Sequence, residues 1–172
     1  KRSAAKLETS VLNYVVSGMP KQPPVLVVNG YPMIECAAEV EVNFLGLTEP
    51  IIYCGRADYI GLCNGNPIGL DYKFTSIALS ETTQFGYEMS MQPVGYAVTT
   101  TVGLQLQCDR FDMVLIALPT PKTGLPHAFV PVEITDNEID AWTQWLYQAV
   151  TWREQFSNPL FATQSRNSCI RY

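Results

Sequence analysis

The chain has 172 residues, of which 47% are hydrophobic and 16% charged. That is long enough to bury a real core and too apolar for a disordered chain. No apolar run reaches the roughly 18 residues needed to cross a bilayer, no secretory signal pattern is present, and a net charge of −5 argues against a broad nucleic-acid-binding face.

One domain spanning residues 1–172 is therefore expected, and the start at Lys1 rather than Met suggests a piece of a longer protein. Five cysteines, Cys36, Cys54, Cys63, Cys108 and Cys169, show no CxxC pairing. An odd number without a secretory context predicts reduced thiols in a cytosol, most of them small core residues.

In chain order, "SAAKLETSVLNYVV" places Leu7, Val11, Leu12 and Val15 at helical spacing, with Ser3 in an N-cap position. "SGMPKQPP" ends that helix, and "VLVVNG" reads as a short strand before a turn. "AEVEVNFLG" alternates, with Val40, Val42 and Phe44 on one face and Glu39, Glu41 and Asn43 on the other, as in a half-buried strand. "PIIYCGRADYIGL" and "PIGLDYKFTSIAL" are two further strands joined by the Asn-Gly-Asn-Pro turn. From Glu81 to about Leu104 the pattern is helical. Pro93 would cost about 3 kcal/mol inside a helix, so a break with Ser90 as cap is expected there. "DMVLIALPT" and "HAFVPVEI" are late strands. "TDNEIDAWTQWLYQAVTWREQF" is a capped helix with Ile139, Trp142, Leu146 and Val150 on one stripe. The sum is an α/β (α+β) domain with a mixed central sheet flanked by helices.

The chemistry-bearing residues gather around the hairpin. Alternation puts Arg56 and Asp58 on one face of their strand and Asp71 and Lys73 on one face of the next. Glu39 and Glu41, on the polar face of the preceding strand, can join the same side. Three carboxylates around a single lysine are costly unless a cation sits among them. Oxygen ligands without His or Cys favour Mg²⁺ or Mn²⁺. The plainer reading is a surface Asp71–Lys73 pair with Asp58 capping a turn, since a lone (D/E)xK occurs in many proteins.

Taken together, a Glu-bearing strand, "GRAD", a short turn, "LDYK" and a downstream "QPVGY" resemble the PD-(D/E)XK nuclease superfamily. More narrowly they resemble its RecB-type branch, which includes phage and bacterial exonucleases of recombination and CRISPR-associated relatives. The resemblance runs from about Glu39 to Tyr96 and implies a restriction-endonuclease-like core. It implies that Asp58 and Asp71 are metal ligands, that Tyr72 lends a backbone carbonyl to the metal, and that Lys73 is the catalytic lysine. Glu39 or Glu41 would be the upstream carboxylate, with Glu39 preferred. Gln92 and Tyr96, four apart and on one helix face, would support the site and contact DNA. Arg56 would be either a DNA contact or a salt-bridge partner.

The implied activity is that of a Mg²⁺- or Mn²⁺-dependent deoxyribonuclease, an exonuclease of phage or bacterial recombination or repair in the cytoplasm. The alternatives are an inactive nuclease-fold binding or assembly module and a CRISPR-adaptation-type nuclease. DNA is the implied partner, with no membrane; a recombination or adaptation protein and homo-oligomerisation stay open. The pattern departs from the branch in three places. The literal Pro-Asp pair is absent, with Ala57 standing before Asp58, as is common in this branch. His127 lies in a late strand, where a structural role is expected. Some relatives hold an iron–sulfur cluster through one early and three late cysteines, whereas no cysteine follows Cys169, and no cluster is expected on this chain.

Overall fold

In the computed structural model, residues 4–47, 49–118 and 126–155 are described, apart from the side chains of 154 and 155. The expected cap Ser3 and Cys169 lie outside them. The first helix, α1, spans Ala4–Ser17 and is followed by a 3-10 turn at Met19–Lys21. The "VLVVNG" segment forms only a two-residue strand, β1 (Val27–Val28), paired with β2 (Tyr31–Pro32) in a small antiparallel ribbon.

The alternating segment becomes β3, Ile34–Val42. The two hairpin strands are β4 (Ile51–Cys63) and β5 (Asn66–Thr75). Asn64 and Gly65 turn between them with φ of 52° and 87°. Both values fall in the left-handed region that a tight two-residue hairpin turn needs, which is why Asn-Gly stands there. Next come α2 (Glu81–Glu88) and α3 (Met91–Val98). The helix breaks where expected: Ser90 caps α3 by accepting the Gln92 N–H, and Pro93 falls in the first turn. α3 runs on into a π-helical turn at Thr99–Gly103. Last are β6 (Arg110–Ala117), β7 (His127–Glu133) and α4 (Asp136–Gln155). Thr135 and Glu138 cap α4 reciprocally, each side chain bonded to the other's backbone N–H.

The main sheet has the order β3-β4-β5-β6-β7, antiparallel throughout except for the parallel β5–β6 pair. A parallel pair requires a long crossover, and α2 with α3 supplies it. The sheet is covered on both faces, as the parity of β6 shows. Val114 and Ile116 pack with Tyr14 of α1, Ile68 and Leu70. Met113 and Leu115 pack oppositely with Leu79, Val130 and Val132. On that second face Ala97 of α3 meets Ala57, Ile60 and Phe111, and Val94 of α3 meets Trp142 and Leu146 of α4. The fold is thus a mixed sheet between helices, as the sequence pattern predicts.

Two expectations are corrected. α1 does not dock by its Leu7, Val11, Leu12, Val15 stripe, all of which is exposed; Ser10 and Tyr14 are the buried residues. The reason is local: Ser10 Oγ donates to Ala117 O at 2.8 Å and Tyr14 fills the aromatic cluster with Tyr72, His127 and Phe129, which fixes the helix's rotation. His127 is buried in that cluster, away from the carboxylate hairpin. Nor are the four described cysteines mainly core: among them only Cys108, its thiol pushed up to about 11 by burial, is buried, whereas Cys36 and Cys63 are half-buried and Cys54 is exposed.

Gly95 is where α3 approaches the sheet and α4 most closely, since a Cβ there would meet the Tyr53 hydroxyl and the Trp142 ring nitrogen. Gly95→Ala is expected to destabilise the fold by about 1–3 kcal/mol through overpacking. Thermal melting checks this, and an unchanged melting temperature would show that α3 can retreat freely.

Candidate active site

β4 and β5 pair only from the Cys63–Asn66 end as far as Tyr59–Leu70. Beyond that point they part: β4 continues alongside β3 and β5 alongside β6. The first residues past the fork are Asp58 and Asp71. In a continued ladder they would face each other, which like charges oppose. Instead Asp58 Oδ2 accepts the backbone N–H of Tyr72 at 2.9 Å, so a side chain satisfies the amide that the departing strand would have bonded.

An open cleft of about 480 Å³ occupies the fork, lined by Ala37, Ala38, Glu39, Cys54, Gly55, Arg56, Asp58, Asp71, Tyr72, Lys73, Gln92 and Tyr96. Eight of the nine residues singled out from the sequence therefore line one cavity; the ninth, Glu41, does not. Glu41 is exposed on β3, its carboxylate bonded by Asn43 Nδ2 at 3.2 Å. Glu39 is also exposed but sits at the cleft wall.

Asp71 is 2% exposed. Lys73 Nζ lies 3.1 Å from its Oδ1 in a hydrogen bond and 2.8 Å from its Oδ2. The approach to Oδ2 is close but off the hydrogen-bond direction, so this buried oxygen has no hydrogen-bond partner among the described residues. Burial pushes the Asp71 carboxyl above the usual carboxylate range; Lys73 pulls it back and Asp58 adds to the rise. Below the carboxylates, Gln92 Nε2 donates to Tyr96 Oη at 2.7 Å, and burial together with the nearby Asp71 pushes the Tyr96 phenol up. The Gln92–Tyr96 pair at i, i+4 thus sits on the α3 face turned to the cleft.

The expected cluster of three carboxylates is corrected: among the described residues no three His, Cys, Asp or Glu side chains come close enough together to hold a metal. Two carboxylates and a lysine remain. That donor set fits Mg²⁺ in its usual manner, through one or two carboxylates with water and substrate phosphate completing the shell. Asp71 Oδ2, which meets Lys73 Nζ at 2.8 Å without a directed hydrogen bond, is the donor such an ion would take.

Strict alternation in β4 is corrected as well. Ala57 and Ile60, three apart, share one apolar cluster, whereas Tyr59 packs on the opposite face. The strand therefore changes phase around Asp58, and Arg56 is left exposed. Across from this point Glu35 of β3 has φ +54°, and the ladder pairs Ile34 with Tyr59 and Cys36 with Ala57 while skipping Glu35 and Asp58. Glu35 binds Arg56 Nε at 3.0 Å. Sequence reasoning missed Glu35, because nothing in "MIECAAEV" marks a left-handed residue; only the unusual density of acids on β3 hints at it.

No family profile matches the chain, and no curated protein does either. Among solved structures, the crystal structure of SSO0001 is similar at 16% identity over 70% of this chain, with a TM-score of 0.48. The match spans half the length of that protein, and a likeness this distant carries no argument about fold or function.

The Asp71 shift has a sign that can be tested. A carboxyl whose pKa is raised on folding contributes stability below its unfolded pKa and loses it as pH rises through the folded one. In metal-free buffer Asp71→Asn is therefore expected to melt higher than wild type at pH 7, the gain fading as pH falls toward about 4. Lys73, 30% exposed, can reach water when its partner is neutralised. A lower melting point at pH 7 would mean that the Lys73 pairing outweighs burial.

Proposed function

We propose that the protein is a Mg²⁺- or Mn²⁺-dependent DNA nuclease of the PD-(D/E)XK type, hydrolysing phosphodiester bonds. The observation that carries this reading is the convergence of Asp58, Asp71 and Lys73 at a strand fork, with Asp71 buried beside the Lys73 ammonium. A packing role for the same residues explains neither the burial of Asp71 nor the fork. The resemblance of "GRAD", "LDYK" and "QPVGY" to the RecB-type branch supports it from the sequence. So does the sheet, whose fork places those three motifs around one cleft.

Asp58, Asp71 and the Tyr72 carbonyl would hold the ion, which when bound supplies a polarised water and neutralises charge on the scissile phosphate. The other roles belong to this chain's side chains. Lys73 orients the attacking water and offsets the charge that builds on the phosphoryl oxygens. Asp71 fixes the Lys73 ammonium, and the Tyr72 N–H fixes Asp58. Gln92 and Tyr96 wall the cleft beneath them, and Arg56 at its mouth is suited to a neighbouring phosphate. Glu39, on the wall, would serve as an outer carboxylate toward a hydrated ion.

An exonuclease of phage or bacterial recombination or repair, acting in the cytoplasm, is the preferred setting; a nuclease of CRISPR adaptation is the variant of it. A second reading is a binding or assembly module that keeps the fold without cleavage. The lack of a third converging carboxylate among the described residues and the acidic pI of about 4.8 favour that one.

Purified protein is expected to degrade linear DNA with Mg²⁺ or Mn²⁺, with Lys73→Ala lowering the rate at least ~10²-fold at an unchanged circular dichroism spectrum. Cleavage that persists in EDTA, or at full rate in Lys73→Ala, would remove the nuclease reading. The module reading instead requires no cleavage and no Mn²⁺ binding that is lost on Asp71→Ala.

A further inference from the structure

Glu35 stands apart from the other left-handed residues. Asn29 and Asn64 precede glycines in turns, where Asn is at home, and Gln105 lies outside any strand. Glu35 alone of the four lies inside a strand of the main sheet, as the second residue of β3, and glutamate is not among the residues that favour φ > 0. Sparsely populated backbone held in place at the edge of a cleft is a reason to ask what it positions.

What it positions is the guanidinium of Arg56. Five charged residues line the cleft: Glu39, Asp58 and Asp71 against Arg56 and Lys73. Lys73 is committed to the buried Asp71. Arg56 is the remaining cation of the lining, and its partner Glu35 stands outside the lining residues. Both members of that pair are open to solvent, with side-chain exposures of 65% and 56%. An ion pair so exposed is weak, hence exchangeable. A phosphate can offer the same guanidinium two oxygens and more charge.

We infer that Glu35 is an internal competitor for substrate phosphate: it occupies Arg56 in the free protein and yields it to the DNA backbone on binding. This rests on the nuclease reading and adds to it a residue that sets substrate affinity. Among the described residues Glu35 makes no hydrogen bond or ion pair with Asp58 or Asp71, and it takes no part in chemistry. It lowers affinity for any polyanion that does not also engage the carboxylate centre, which helps an acidic cleft discriminate phosphodiester substrates from passing anions.

The test is a double-mutant cycle on binding of a fluorescein-labelled duplex DNA oligonucleotide, read by anisotropy with Ca²⁺ in place of Mg²⁺. Glu35→Asn removes the charge while keeping a residue that accepts left-handed backbone. It is expected to tighten binding about three- to fivefold at low salt, with the gain fading as salt is raised. Arg56→Ala weakens binding and lowers the salt slope by about one, and Glu35→Asn adds nothing in that background. If Arg56→Ala weakens binding but Glu35→Asn leaves it unchanged or weaker, the competitor role is overturned and the nuclease reading stands. Should wild type, Glu35→Asn and Arg56→Ala all fail to bind the duplex, both fall together.

Discussion

The parting of β4 from β5 beyond the Tyr59–Leu70 pair is the constraint on which the candidate site depends. A sheet that stayed closed there would set two aspartates opposite each other and leave no cleft. The fork is held open from both sides. β4 is committed to β3 through eight residue pairs, and β5 to β6 through seven. The amide exposed by the separation is met by Asp58, in a charge-assisted bond of a kind that contributes about 1.5–3 kcal/mol. One carboxylate thereby serves both the backbone and the cleft.

The electrostatics follow from that geometry. Asp71 is the first residue of β5 past the fork and is only 2% exposed, at the wall of the cleft. Lys73 is two residues on along the same strand face, so the backbone itself delivers the counter-charge. Lys73 Nζ reaches both Asp71 oxygens, at 3.1 Å in a hydrogen bond to Oδ1 and at 2.8 Å from Oδ2. A buried carboxylate with a single counter-charge lowers stability. The second cation of the cleft, Arg56, is governed from β3 by Glu35. The two cations thus differ in kind: Lys73 is held by a buried carboxylate, Arg56 by an exposed one.

Helix α3 ties this arrangement to the core. Its N-cap at Ser90 and the early Pro93 start it at the point that brings Gln92 and Tyr96 to the cleft. Its opposite side, through Val94, is clamped by Trp142 and Leu146 of α4. The π-turn that follows packs Thr99 against Gly55 and Gly103 against the backbone of Glu39. The strands on the β3 side of the fork are therefore seated on the same helical layer that walls the site.

Local chemistry was legible in the sequence wherever neighbours along the chain decide the outcome. The Asn64-Gly65 turn, the Ser90 cap, the Val40-Val42-Phe44 alternation and the capped α4 depend on short-range sterics and periodicity, and each stands where the pattern put it. So does the proximity of Asp58, Asp71 and Lys73, because a tight hairpin leaves little freedom of register. Three things required the tertiary structure. The rotation of α1 is set by Ser10 and Tyr14 reaching Ala117 and an aromatic cluster far away in sequence, and these override the Leu-Val stripe. The change of phase at Asp58 and the left-handed Glu35 arise from competition between neighbouring strands, which no single strand encodes. The reduction from three converging carboxylates to two, with Glu41 excluded, is decided by spacing across strands. Alternation fixes which side a residue faces but not how far apart two such residues lie, and that distance is set only when the whole sheet twists and splits.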